Sequence, residues 1–203
     1  MDFARRIALT AAAFSVLVFT GCQVSTNNKN GHGDNVQMST PFGNMHIKTN
    51  QDANVAGIGL TTYPGSVPVK DDNDKDNDAA DINLNFGDFH LGVKAASFHT
   101  NDSPDKVEAF YRKDMAHYGA VLKCKGSETI GQPTRTGEGL TCSENDKHGV
   151  HGVHVNTDSD HVELRAGSSQ HEHIVGIEPK DGGTKIGLVE LDLPGHHDSS
   201  DSE

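Results

Sequence analysis

Three histidines at equal spacing, His148, His151 and His154 in the stretch KHGVHGVHVN, raise the question of a metal site. Imidazole nitrogens are good zinc ligands, and thirteen histidines in 203 residues is a high count. On a helix the three would share a face, but two glycines and three valines in 149–155 argue for a strand. Strand side chains alternate, so His151 points away from the other two, and His148 and His154 lie about 20 Å apart. One strand therefore cannot bring all three to one ion. A hairpin does better. Pairing Val155 with Val162 and Val153 with Leu164 gathers the apolar side chains on one face. His154 then falls opposite Glu163, with His161 beside it, and two imidazoles with a carboxylate are zinc-compatible. The expected face is solvent-exposed and has no second layer of partners, so it reads first as a hydrophilic strand surface whose histidines titrate near neutrality. His171-Glu172-His173 and His196-His197-Asp198 read as solvated too.

A second candidate is the acidic run DDNDKDNDAAD, Asp71 to Asp81. Asp72, Asp74, Asp76 and Asp78 alternate as oxygen ligands do in calcium loops. Counted from Asp72, however, the sixth position is Asn77 instead of Gly and the twelfth is Asn83 instead of Glu. The expectation is a solvated loop, with weak divalent-cation binding as the alternative and no resident cofactor. Catalytic signatures are missing: there is no Gly-x-Ser-x-Gly, no His-Glu-x-x-His, no phosphate-binding loop and no dinucleotide fingerprint. The chain is read as a non-enzyme. A net charge of -12 excludes nucleic acid as an expected partner, because phosphate binding needs a basic face. It also works against attraction to an anionic lipid surface.

The address is more legible than the chemistry. Arg5 and Arg6 precede an apolar run, Ile7 to Phe19, that is too short for an ordinary membrane span of about 20 residues. The run ends in Phe19-Thr20-Gly21-Cys22, which resembles a bacterial lipobox, with Phe19 standing where Leu is commonest. The resemblance implies removal of residues 1–21 as a signal peptide and acylation of Cys22. Two or more acyl chains hold a protein stably on a bilayer. The expected location is the bacterial cell envelope, lipid-anchored and facing the periplasm or the surface. Gln23 in place of Asp after the cysteine favours the outer membrane, by similarity to lipoprotein sorting. Cys124 and Cys142 are left, and in an oxidising compartment they read as a disulfide across a hairpin.

The elements that must position these groups follow from periodicity. Residues 22–35 are polar and Gly/Asn-rich, and read as a flexible tether. Residues 36–70 hold two short alternating runs about a turn at Pro41–Asn44, then an extended segment broken by Pro64-Gly65 and Pro68 that is expected to wrap the surface. The acidic loop, 71–81, precedes an α+β domain at 82–195, and 196–203 reads as a disordered tail. Within the domain, two strand-like runs flank Gly87-Asp88. Ser103 as N-cap, Pro104 and Asp105 then open a helix. Val107, Phe110, Tyr111, Met115 and Tyr118 share its core face, and Gly119 stops it. After it come strands at 120–124 and 139–143. Hairpins follow about Thr157–Asp160 and about Lys180-Asp181-Gly182-Gly183. The fold class is α+β: one helix, about 103–118, packed on a mainly antiparallel sheet of about six or more strands.

The stretches TPFGNMHIKT, TTYPGSVPV, DSPDKVEAFYRKDMAHYGAVLKC and QHEHIVGIEP with GGTKIGLVELDLP resemble a group of exported proteins and lipoproteins of acidobacteria, over most of 36–194. The resemblance implies an envelope address and this order of elements, and brings no activity or site residue with it. The expected function is a cell-envelope lipoprotein acting as a non-catalytic binding or structural module. Its partners are the lipid bilayer, through the acyl chains, and a protein or ligand the sequence does not specify. The alternative is a protein that binds calcium, zinc or nickel.

Overall fold

Period-two alternation dominates the chain, and the structure, a computed structural model, gathers it into one sheet. It describes residues 23–28, 34–49, 55–69, 79–143 and 161–194. The described strands are β1 (Gln23–Asn28), β2 (Asp34–Thr40), β3 (Gly43–Thr49), β4 (Val67–Pro68), β5 (Ala79–Phe86) and β6 (Phe89–Thr100), then β7 (Leu122–Lys125), β8 (Glu128–Thr129), β9 (Val162–Gly167), β10 (His171–Lys180) and β11 (Gly183–Asp192). They lie in the order β1-β2-β3-β5-β6-β11-β10-β9-β7-β8, and all their pairings are antiparallel. β5 leaves β6 at Ala79, opposite Ala96, and β4 takes over the same edge at Phe98 and His99. Pro68 is tolerated there because an edge strand needs no donor from it. The β10–β11 turn has positive φ at both central residues, Asp181 (53°) and Gly182 (78°), as a type I′ hairpin requires.

The helix α1 (Pro104–Asp114) continues into a 3-10 turn, Met115–Tyr118, and ends at Gly119 with φ 107°. Ser103 has the extended N-cap conformation, but its side chain makes no capping bond; its carbonyl accepts from the amides of Lys106 and Val107. Val107, Tyr111 and Met115, four residues apart, are wholly buried against Leu164, Ala166, Val175, Ile177, Ile186 and Leu188 of β9, β10 and β11. Phe110 and Tyr118 pack at the margin. Glu108 ties the helix to β7, accepting from Lys123 Nζ and Arg112 Nε at 2.8 Å each. Burial pushes its carboxyl up, and these two cations more than offset that, leaving it below the usual range. Residues 57–69 do more than wrap the surface: Ile58, Leu60 and Tyr63 enter the same core. Asp114 holds this segment to the helix through the Thr61 amide (2.9 Å) and hydroxyl (2.7 Å).

The other half of the sheet has the opposite parity. Val24, Met38, Met45, Leu84 and Leu91 form one cross-strand row, and Val36, Ile47, Ile82, Val93 and Leu191 the next. Both rows lie on the face away from α1. The face toward α1 carries Gln37, His46, Asn83 and Asp192 in one row and Ser39, Asn44, Asn85 and His90 in another. The switch occurs inside β6, which offers Ala96 and Phe98 to the helix side and Leu91 and Val93 to the far side. Among the described residues β1, β2 and β3 pack mainly on their neighbours in the sheet, and β5 also adds Ala79 to the margin of the helix-side core.

Three expectations change. Gln23–Asn28, expected within a tether, is a strand whose amides pair with β2. The stretch 139–143, expected as a strand, makes only an isolated bridge, Gly139 to Ser168. At Leu164, where a pairing with Val153 was expected, both edges of β9 are taken, by Lys123 and Val175; Val153 itself lies outside the described residues. Cys22, Asp72, Asp74, Asp76, Asp78, His148, His151, His154 and the tail 196–203 lie outside the described residues.

Candidate functional site

Two of the three residues proposed for the histidine cluster, His161 and Glu163, do come together. Glu163 is in β9 and His161 just precedes it, with His161 Nε2 3.4 Å from Glu163 Oε1. They are not on a solvent-exposed face: their exposures are 6% and 5%. On the same face the neighbouring β7, whose Cys124 pairs with Glu163, is covered by the segment after β8. Leu140 and Cys142 pack on Leu122 and Cys124 of β7 as a second small core. The Cys124–Cys142 disulfide, Cα atoms 5.5 Å apart, pins this layer to the sheet. It joins β7 to an irregular segment, where a hairpin was expected. Thr136 adds a hydroxyl bond to the Gly167 carbonyl.

Beside this layer, on the same face of β9 and β10, lies an ion network. Arg165 donates Nε (2.8 Å) and Nη2 (2.6 Å) to Glu163 Oε2, and its Nη1 stands 3.6 Å from Glu172 Oε1. Burial pushes Glu163 up, but the bonds and charges of His161 and Arg165 together outweigh it and hold the carboxyl below the usual range. Glu172 is as buried, has a carboxylate oxygen with no hydrogen-bond partner among the described residues, and gains less from Arg165. Burial raises it to about 7, helped by the charge of Glu163. Gly176 makes the space: a Cβ there would come 2.7 Å from His161 Cε1. A glycine inside an otherwise apolar strand marks such a close approach, so HEHIVGIEP carried a signal for this burial. Glu172 was missed because HEH reads as a polar strand end.

The arrangement can hold a proton near neutrality at Glu172 and fix Arg165 between two carboxylates. It offers no nucleophile, and Arg165 already occupies the Glu163 carboxylate that a cation would need. Among the described residues no three His, Cys, Asp or Glu are placed to hold a metal ion.

Two further histidine settings lie on the helix side. His173 is buried and stacked on Tyr118, with ring centroids 3.6 Å apart, and burial lowers its pKa. Tyr118 in turn donates to the Gly59 carbonyl (2.6 Å). At the end of β11, Asp192 stands between His90 Nε2 and His171 Nδ1, 3.0 Å from each, on a largely open surface.

No known protein family matches this chain, and no curated protein or solved structure is similar to it at a significant level. No described helix is long and apolar enough to cross a membrane.

Proposed function

We propose that this protein is a cell-envelope lipoprotein anchored through Cys22, and that its sheet is a non-catalytic binding or structural module. The observation that carries this reading is the lipobox-like Phe19-Thr20-Gly21-Cys22 followed directly by folded sheet, since β1 begins at Gln23. Consecutive Cα atoms are about 3.8 Å apart, so acyl chains on Cys22 would hold the edge of the sheet itself at the leaflet, with no tether between. A disulfide-pinned second layer suits an oxidising compartment. The buried Glu163–Arg165 pair supports a structural role for these charges, because Arg165 donates two hydrogen bonds to the Glu163 carboxylate. The resemblance to acidobacterial exported lipoproteins points to the same address.

Globomycin treatment of cells fed a labelled fatty acid tests the anchor. The expected outcome is a labelled chain in the membrane fraction that keeps its signal peptide when globomycin is present. An unlabelled chain released into the medium would contradict it.

A further inference from the structure

Six large apolar side chains are exposed among the described residues: Val24, Phe42, Val67, Phe86, Phe89 and Ile130. Four of them meet at one end of the sheet. Phe42 is in the β2–β3 turn and is 83% exposed. Phe86 and Phe89 face each other across the β5–β6 turn, and Phe86 also pairs with Gly43 beside Phe42. Gln23 pairs with Ser39 and Val24 with Met38, so β1 starts at this same end. Val24, Phe86 and Phe89 also share the face that carries the uncovered apolar rows. The residue before Gln23 is Cys22. Thus the point where the acyl chains would attach and the cluster of exposed aromatic rings fall together.

The geometry points to a lipid-contacting end: the β2–β3 and β5–β6 turns, with Val24, seat in the interfacial zone of the leaflet that holds the Cys22 acyl chains. This inference rests on the lipoprotein reading and adds a protein–lipid contact to it. Apolar and aromatic side chains at such positions sink about 5–10 Å into the headgroup and acyl boundary. The cost of entry is low, because Asp88 is the single charged residue in Thr40–Gly43 and Phe86–Phe89. The leaflet surface is zwitterionic in this account, since a chain of net charge -12 is repelled by anionic lipid. With the turns held there, the apolar rows of β1, β2, β3 and β5 rise from the boundary, and the polar face toward α1 stays in water.

The chain has no tryptophan, so Phe42→Trp introduces a single indole at a position too exposed to disturb the core. The full chain, expressed with its signal and purified from envelopes, is placed in phosphatidylcholine–phosphatidylethanolamine vesicles containing lipid brominated in the upper acyl chain. Val67→Trp and Ile130→Trp are the comparisons: both sites are exposed and apolar, Val67 on the short β4 and Ile130 beside β7 at the opposite edge. The expected result is blue-shifted emission at position 42, quenched several-fold more than at 67 or 130. Quenching at 42 no greater than at 67 and 130 overturns the contact, whether or not a second copy then proves to cover the face. The mass of the N-terminal peptide reads the anchor separately. An acylated Cys22 with an unquenched position 42 defeats the contact alone, and a quenched position 42 on an unacylated chain defeats the anchor alone.

Discussion

The two halves of the sheet turn opposite faces apolar, and among the described residues only one of those faces has a lid of protein. Around β9, β10 and β11 the apolar side faces α1, and residues such as Leu164, Val175 and Leu188 are completely enclosed. Around β1, β2, β3 and β5 the apolar side faces away from α1, and its residues keep partial exposure. The alternation is equally regular in both. What differs is which parity is apolar, and β6 carries the change within its own twelve residues. Amphipathic strands alone therefore do not say where a core is. A helix of the right register decides it for one half, and the other half is left with an apolar surface of the kind that marks an interaction site.

Truncations on the two faces sharpen this contrast most. Leu164→Ala should cost about 2–5 kcal/mol in urea unfolding of the lipid-free protein, because it opens a cavity in a sealed core. Leu84→Ala, on the far face, should cost about 1 kcal/mol or less. Equal losses would mean that the far face is sealed too. Next comes the disulfide layer. Replacing Cys124 and Cys142 together by alanine should lower stability by on the order of 3 kcal/mol for a bridge of separation 18. Reductant should lower the wild-type Tm and leave the double variant unmoved.

Glu172 gives a pH signature confined to the covered half. Folded, it keeps its proton up to about pH 7, whereas an unfolded glutamate loses it near pH 4.3. Between those limits the native state binds more protons. Stability therefore falls as pH rises through this window, by on the order of 3 kcal/mol when complete above pH 7. Glu163 runs the other way: its depressed folded pKa adds stability above the usual carboxylate range, lost on acidification. Glu172→Gln should flatten the fall and gain about 1–3 kcal/mol at pH 8, less than the full amount because Arg165 loses a partner. Guanidine melts at pH 5 and pH 8 check it, and an unchanged slope would count against a buried, proton-holding Glu172. Asp114→Ala should have a small effect, close to that of Leu84→Ala. Freeing Thr61 from the helix should cost about 1 kcal/mol in the same assay.

How far the sequence revealed this depended on whether the deciding contacts were local. The helix was legible because Val107, Tyr111 and Met115 repeat at helical spacing between Pro104 and Gly119. The β10–β11 hairpin was legible from Lys180-Asp181-Gly182-Gly183. β1 was hidden because QVSTNN has one apolar residue, and its strand character comes from pairing with β2. Strand parity correctly put His161 and Glu163 on one face. It could not tell that β7 would take the neighbouring edge, or that Leu140 and Cys142 would pack on β7 beside that face. The charge partners of Glu163 come from residues 161 and 165, within its own strand region, yet burial makes them matter, and burial is a long-range property.

The most direct measurement is the mass of the N-terminal peptide of the protein isolated from envelopes. The account predicts a chain that begins at Cys22, with a diacylglyceryl thioether on its sulfur and acylation of its new amino group, followed at once by the β1 sequence. A peptide that begins elsewhere, or a Cys22 with a free thiol, would contradict it.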